Sequence, residues 1–277
     1  MEYVKFNNGV QIPQLGLGVF QSKPGDETYE AVKYALEIGY RHIDTAQAYR
    51  NEESVGQAIK ESGVDRSDIF VTTKVWNEVQ RTGSVADSVD ESLKKLGTDY
   101  IDLMLIHWPV KEKYVNTWLE LEKIYKDGKG KIKAIGISNF LQHHIEDIKK
   151  VWSVVPVINQ YELHPEFNQH ELSSFCKAND IVVQSYSPLG GSGSVERMMQ
   201  NKVLVDIGKK YSKNAAQVIL RWNIQLGYVT IPKSITPSRI KSNLEIFDFE
   251  LTSSDIDDIN AINLGKRLGA NPDTFTF

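Results

Sequence analysis

The chain has 277 residues, of which 41% are hydrophobic, and its formal net charge at pH 7 is −4. The hydrophobic share is enough to bury a core, and the small negative charge gives no electrostatic basis for binding nucleic acid or an anionic membrane surface. One cysteine, Cys176, excludes an internal disulfide framework, and no stretch has the roughly 20 apolar residues that span a bilayer. Because the opening residues lack the features of a signal peptide, the sequence predicts a cytoplasmic protein.

The chain opens with a pattern that predicts a β-hairpin, whose turn falls at Asn8 and Gly9. That dipeptide tolerates positive φ at both central positions of the turn. Short apolar runs then alternate with amphipathic segments. The runs, predicted as strands, cover residues 15–19, 40–43, 69–73, 101–106, 132–137, 156–159, 181–185 and 228–231. The segments, predicted as helices, cover residues 27–38, 54–61, 84–96, 115–126, 142–151, 170–178 and 203–211.

Alternation of strands and helices indicates parallel pairing, because each helix carries the chain back before the next strand begins. Eight such units in 277 residues favour a closed (β/α)8 barrel, and without any linker or change in composition we predict a single domain over residues 1–277. The alternative is an open doubly wound sheet. Its glycine-rich nucleotide turn is represented here only by Gly16 and Gly18, a weak signal that close backbone packing explains at least as well.

Polar side chains recur at the carboxyl ends of the predicted strands, and in a parallel barrel all these ends open onto one face. They are Asp44, Lys74, His107, Ser138, Asn139, Gln160, Tyr186, Ser187 and, after the last strand, Lys233 and Ser234. Taken singly, Asp44 could be a helix cap, and His107 a hydrogen-bonded core histidine. Their repetition at one end of seven strands predicts an active site there.

Three of these polar residues, Asp44, Lys74 and His107, together with Tyr49, form a set suited to proton transfer. A lysine is seldom buried without a partner, and Asp44 is the obvious partner for Lys74. An ammonium group held by a carboxylate near the phenol of Tyr49 would favour the ionised form and lower the phenol pKa from about 10. Tyr49 would then serve as a general acid near neutral pH, with His107 beside it.

Several motifs in order resemble those of the aldo-keto reductase superfamily, and in particular its prokaryotic members that act on small aldehydes and keto sugars. The matching segments are GYRHIDTA at 39–46 with Tyr49, Asn51 and Glu52, TKVW at 73–76, DLMLIHWP at 102–109, GISNF at 136–140, and IPKS at 231–234 with Arg239 and Asn243. The match covers essentially the whole chain. It implies a TIM barrel with an N-terminal β-hairpin and a C-terminal tail over the barrel mouth.

The resemblance also implies a reaction, the reduction of aldehydes and ketones to alcohols by hydride transfer from NADPH. Tyr49 would donate the proton, Lys74 held by Asp44 would tune it, and His107 would orient the carbonyl. The nicotinamide would be held by Ser138, Asn139 and Gln160, with Tyr186 stacked on its ring. The hydride chemistry belongs to the cofactor, and the protein supplies placement and electrostatics.

The adenosine end of the cofactor is predicted near the last barrel strand. Thr236 and Pro237 indicate a helix start, where backbone N–H groups and the helix dipole favour phosphate. Lys233 and Arg239 add two cations, which favours NADPH over NADH, although each could be a plain surface charge. Cofactor contacts are also predicted for Ser187, Leu189, Ser234 and Asn243. The stretch 189–194 either closes over the pyrophosphate or is a plain flexible loop. Ser242 stands where family members often have a glutamate near the adenine.

Phe20, Trp76 and Trp108 lie beside strand ends and, with Tyr49 and His107, are predicted to line an apolar substrate pocket. The loop 109–113 and the tail 265–277 are short, which predicts an open site with broad tolerance for small carbonyls such as glyoxal, methylglyoxal or a keto sugar.

Two other functions compete with this interpretation. A metal-dependent hydrolase would use His42, Asp44, Lys74 and His107, but later strand ends offer no further histidines, and no metal is predicted. A non-catalytic protein that binds NADPH and signals its presence is the second alternative. A monomer is predicted because no exposed apolar helix face stands out, and His143 and His144 are predicted to lie solvated on a helix surface.

Overall fold

The computed structural model describes residues 1–191 and 193–277. The chain opens with an antiparallel hairpin of β1 (Tyr3–Lys5) and β2 (Gln11–Pro13), as predicted. Its turn differs from the prediction, since Gly9 N donates to Phe6 O at 3.0 Å and Gly9 has a φ of 89°, whereas Asn8 is not among the described residues with positive φ. The connection is therefore a three-residue loop in which Gly9 alone takes the left-handed region.

Among the described residues, eight parallel strands form one sheet in chain order. They are β3 (Leu17–Gly18), β4 (His42–Asp44), β5 (Phe70–Val75), β6 (Leu103–Ile106), β7 (Ile135–Ser138), β8 (Ile158–Glu162), β9 (Val182–Tyr186) and β10 (Val229–Thr230). The first and last strands meet, because Gly16 N donates to Thr230 O at 2.9 Å and Gly18 N donates to Pro232 O at 3.2 Å. The sheet closes on itself, and the predicted (β/α)8 barrel is confirmed.

Helices connect and surround the strands. They are α1 (Asp26–Glu37), α2 (Glu52–Glu61), α3 (Asn77–Thr82), α4 (Val85–Leu96), α5 (Tyr114–Lys126), α6 (Gln142–Lys149), α7 (His170–Ala178), α8 (Val195–Met199), α9 (Lys202–Tyr211), α10 (Ala215–Gln225), α11 (Pro237–Leu244) and α12 (Ser253–Asn260). The sequence pattern did not predict α3, α8, α10 or α12. No helix among the described residues is long and apolar enough to cross a membrane.

Local sequence explains where several helices begin. The Ser84 side chain accepts a hydrogen bond from Asp87 N at the start of α4. At the start of α10, Asn214 and Gln217 form a capping box, and Thr252 and Asp255 form another at the start of α12. Each cap satisfies N–H groups that have no partner within the helix.

The hairpin closes the amino-terminal end of the barrel. Phe6 and Ile12 are buried together with Phe70 and Leu103, the first residues of β5 and β6. The rings of Phe6 and Phe70 meet edge to face, with centroids 6.3 Å apart. This packing leaves the opposite end, where the strands terminate, as the place for a site.

The tail, residues 265–277, lies over that opposite end. Leu268 N donates to Glu162 Oε1, at the end of β8, at 2.7 Å. Phe277 O accepts from Asn77 Nδ2 at 3.1 Å and from Arg81 Nη2 at 2.8 Å, and both donors belong to α3, the helix that follows β5. The tail therefore runs from one side of the barrel mouth to the other, as the predicted fold requires.

Candidate active site

The strand ends bring the predicted polar residues together inside the barrel. Asp44 ends β4 and Gln160 belongs to β8, two strands that are not neighbours in the sheet. Even so, Gln160 Nε2 donates to Asp44 Oδ2 at 2.7 Å. Such a contact is possible only because both side chains point into the barrel, where they meet across its interior.

Asp44 and Lys74 form a buried ion pair. Lys74 Nζ donates to Asp44 Oδ1 at 2.5 Å and to Thr45 O at 2.8 Å, and the two side chains are 2% and 0% exposed. Burial raises the pKa of Asp44 and lowers the pKa of Lys74, while each partner acts to keep the other charged. The predicted pairing is therefore present, and Gln160 adds a further donor to the carboxylate.

Tyr49 lies in the turn after β4, over the ion pair. Lys74 Nζ is 5.1 Å from the centre of the Tyr49 ring, and the ring of His107 is 5.5 Å away, edge to face. The expected lowering of the phenol pKa is not found. Burial, and then the negative charge of Asp44, raise the Tyr49 pKa well above 10. Desolvation is the largest cause, so the phenol holds its proton near neutral pH.

His107 follows β6 directly and is 7% exposed. Burial first, and the charge of Lys74 second, hold its pKa well below the ordinary 6.5, so the imidazole is neutral. The Nδ1 atom is buried and has no hydrogen-bond partner among the described residues. A neutral ring at this position can donate one N–H without bringing a second positive charge next to Lys74.

The residues predicted to hold nicotinamide already contact each other. Tyr186 donates through its hydroxyl to Asn139 Oδ1 at 2.8 Å, and Asn139 Nδ2 donates to His107 O at 2.9 Å. Asn139 has a φ of 64° and Ser187 a φ of 48°, in the left-handed region that is uncommon for residues other than glycine. Ser138 is fully buried at the end of β7. These polar groups and one aromatic ring therefore border the same space.

The residues predicted for the adenosine end lie apart, around α11. The helix begins at Pro237 as predicted, and Ser234 Oγ accepts from Thr236 N at 3.1 Å. Lys233 and Arg239 are exposed, and Asn243 is buried. The stretch 189–194 precedes α8, and its residue Ser192 lies outside the described residues.

Ser242, the departure from the family pattern, has a structural role. Its Oγ accepts from Asn214 Nδ2 at 3.1 Å and its carbonyl accepts from Gln217 Nε2 at 3.1 Å. The residue therefore ties α11 to the start of α10.

Aromatic side chains border the mouth, and the sequence predicted only some of them. Trp76 stacks on Phe277 with centroids 6.0 Å apart, and Trp108 meets Phe275 at 5.1 Å. We call Trp76, Trp108, Phe275 and Phe277 the aromatic cluster. Within this cluster, the centroid of the Trp76 ring is 5.2 Å from that of the His107 ring. The prediction of an open site was wrong, because the short tail packs on the tryptophans and buries Trp108 to 8% exposure.

Phe20 stands on the other side of the mouth. It is 54% exposed and its ring is 5.0 Å from that of Tyr49. The alternation TFTF at 274–277 is the sequence signal for the aromatic residues of the tail. The local sequence does not indicate which strand end these residues reach.

A second cluster of titratable groups lies outside the mouth. His143 Nε2 and His144 Nε2 are 2.9 and 3.4 Å from Asp273 Oδ1, and these three are a potential metal-binding group among the described residues. His144 Nδ1 accepts from Leu141 N, which leaves its proton on Nε2 to donate to Asp273. The prediction that both histidines are solvated was wrong for His144, which is 6% exposed because Tyr114 and Phe140 pack on it.

Comparisons of the sequence with known proteins agree with this fold. A family model described as the aldo/keto reductase family matches residues 14–264. The chain is 50% identical over 274 residues to the glyoxal reductase of Bacillus subtilis (strain 168), with 99% of this chain and 97% of the relative covered. It is 44% identical over 276 residues to methylglyoxal reductase DkgA of Escherichia coli (strain K12), with coverage of 98% and 97%. The chain belongs to the aldo/keto reductase family.

A solved structure supports the same assignment. The crystal structure of a Gox0644 mutant in complex with NADPH is 40% identical in sequence and superposes with a TM-score of 0.92, covering 100% of this chain and 99% of that chain. The similarity therefore extends over the barrel, the hairpin and the tail together.

Proposed function

We propose that the chain reduces small aldehydes and ketones to alcohols with NADPH, and that Tyr49 donates the proton. The observation that carries this proposal is the buried Lys74–Asp44 pair beneath the phenol of Tyr49 and the neutral ring of His107. The relatives named glyoxal reductase and methylglyoxal reductase support small dicarbonyls as substrates. The NADPH in a related structure supports the choice of cofactor.

The residues present fit this cofactor. Ser138, Asn139 and Gln160 supply amide and hydroxyl groups suited to a carboxamide, and the Tyr186 ring lies beside them. At the other end, the exposed cations Lys233 and Arg239 flank the start of α11, a favourable place for phosphate. NADPH, when bound, supplies the hydride.

The protein then has to bind the carbonyl group and protonate its oxygen. His107, neutral, can donate an N–H to the carbonyl oxygen and so orient it. Tyr49, which keeps its proton because burial raises its pKa, can release that proton to the same oxygen. Lys74 places a positive charge 5.1 Å from the Tyr49 ring, which stabilises the phenolate left behind. Phe20 and the aromatic cluster limit access of water.

A single substitution tests the central role. Tyr49→Phe removes the proton donor and keeps the ring, so we expect kcat for methylglyoxal with NADPH to fall at least about 100-fold. Loss of NADPH absorbance measures the rate, and Tyr3→Phe, at an exposed tyrosine, is the matched control. Unchanged turnover in Tyr49→Phe would remove Tyr49 from the mechanism. Tight NADPH binding by the native protein without turnover of any carbonyl would favour the sensing alternative.

The proposal includes one domain over residues 1–277 and a monomer in the cytoplasm. The single domain is supported by the uninterrupted strand and helix pattern, and the cytoplasmic location by the single cysteine. The monomer is supported by the lack of an exposed apolar helix face in the sequence.

A further inference from the structure

A buried carboxylate at the barrel mouth has no part in the proton transfer. Glu162, the last residue of β8, is 1% exposed. Its Oε1 accepts from Leu268 N at 2.7 Å and lies 3.1 Å from His164 Nε2, and its Oε2 accepts from Gly269 N at 2.8 Å. A buried charge is expensive unless hydrogen bonds satisfy it, and two of these bonds come from the backbone of the tail.

The tail comes so close to Glu162 that any side chain at 269 would force the tail or Glu162 to shift. A Cβ on Gly269 would lie 2.8 Å from Glu162 Oε2 and 3.7 Å from the Tyr186 hydroxyl. The neighbouring Arg267 packs its guanidinium over the Phe167 ring at 4.9 Å. The start of the tail is therefore fixed beside Tyr186, which pairs with Glu162 in the β8–β9 register.

The last residues of the tail pack against side chains that contact the reacting groups. Phe277 contacts Trp76, and Trp76 contacts His107 at 5.2 Å between ring centres. Phe275 covers Trp108. The hydrogen bonds at Glu162 come six to nine residues earlier along the same irregular segment, and Asn77 and Arg81 hold its other end at Phe277 O. The two ends together limit where these aromatic rings can lie.

We propose that Glu162 is a positioning residue which holds the tail at Leu268 and Gly269, places the aromatic cluster over His107, and thereby restricts the site to small carbonyl substrates. The part about substrate size rests on the proposed function. Hydrogen bonds from His164 and the two tail N–H groups outweigh burial and hold the pKa of Glu162 below its ordinary value, so the anchor is a carboxylate at neutral pH.

Two variants weaken the anchor in different ways. Glu162→Gln replaces one acceptor oxygen by an NH2 group that faces N–H donors, and Gly269→Ala pushes the tail away while Glu162 stays intact. In both, we expect KM for methylglyoxal to rise about tenfold, the scale of one charge-assisted hydrogen bond, with kcat within about twofold. KM for a bulky aldehyde such as 2-naphthaldehyde should stay level or fall. Glu171→Gln, an exposed glutamate on α7, is the matched control.

A second measurement needs no turnover. Lys266 is exposed just before the anchored residues, so trypsin should cut there about tenfold faster in both variants, and the amides of Leu268 and Gly269 should lose protection from hydrogen exchange. If cleavage and exchange do not change, Glu162 does not hold the tail. If they change and KM for both aldehydes rises equally, or kcat collapses, the selectivity part is wrong. A native protein that has an anchored tail but reduces no carbonyl would overturn the proposed function and leave the anchor in place.

Discussion

At the scale of single residues, the most consequential feature is a lysine with no exposed surface. Lys74 is tolerated inside the barrel because Asp44 and Thr45 O accept its hydrogen bonds, and Asp44 is in turn satisfied by Gln160. A buried ion pair contributes little net stability compared with apolar residues, but loss of one partner leaves an uncompensated charge. The main role of the ion pair is therefore its electrostatic effect on Tyr49, which lies above it, and not a contribution to stability.

This asymmetry gives a prediction. Asp44→Asn should lower the free energy of unfolding by about 3–5 kcal/mol, because Lys74 loses its carboxylate, and Lys74→Met should also be destabilising. The double variant should lose less than the sum of the two single losses, since no unpaired charge remains. Urea unfolding of the four proteins measures this cycle, and strict additivity would contradict the paired burial.

At the scale of elements, α11 and the loop before it are the only described part of the site with two exposed cations at a helix start, Lys233 and Arg239. The helix begins with Pro237, which needs no N–H partner, and its first turn is open to solvent. This geometry suits a phosphate group and lies apart from the catalytic residues, so cofactor choice can be tested separately from chemistry.

Arg239→Ala should raise KM for NADPH about tenfold or more, because a guanidinium makes charge-assisted hydrogen bonds to phosphate. KM for NADH, which lacks the 2′-phosphate, should change less than about twofold. Lys241→Ala, an exposed lysine on the same helix, is the control. Equal effects on the two cofactors would show that Arg239 does not contact the 2′-phosphate.

At the scale of the whole molecule, folding buries several histidines in their neutral form. Burial is the largest cause in each case, lowering the pKa of His42 to about 3 and that of His144 to about 4. In the unfolded chain these side chains take up protons near pH 6.5. The unfolded state therefore binds more protons below that pH, and the free energy of unfolding should fall as the pH drops from 6.5 to about 4.

His144 offers a clean test of this acid sensitivity. His144→Gln keeps a side chain that can accept from Leu141 N at the start of α6 but does not titrate. Its stability should fall less steeply between pH 6.5 and 4, by up to about 1.4 kcal/mol per pH unit. His170→Gln, at an exposed position of α7, is the control, and urea midpoints measured across this pH range make the comparison. Parallel curves for His144→Gln and the native protein would contradict the assignment.

The sequence by itself determined the barrel and the residues that lie at the carboxyl ends of its strands. Strand and helix periodicity is local, and parallel strands in chain order must end on one face. Asp44, Lys74, His107 and Gln160 could therefore be grouped from the sequence alone. The roles of these four residues stay a prediction, but the structure brings their side chains together inside the barrel.

The tertiary structure decided what depends on burial and on distant contacts. Desolvation reversed the expected pKa shift of Tyr49, and packing against Tyr114 and Phe140 buried His144. The tail meets Glu162 106 residues earlier in the chain, a separation that no local pattern records. Periodicity indicates which face of a helix or strand is apolar. The covering of the barrel mouth depends on contacts between segments that are distant in sequence, and these contacts form only when the chain folds.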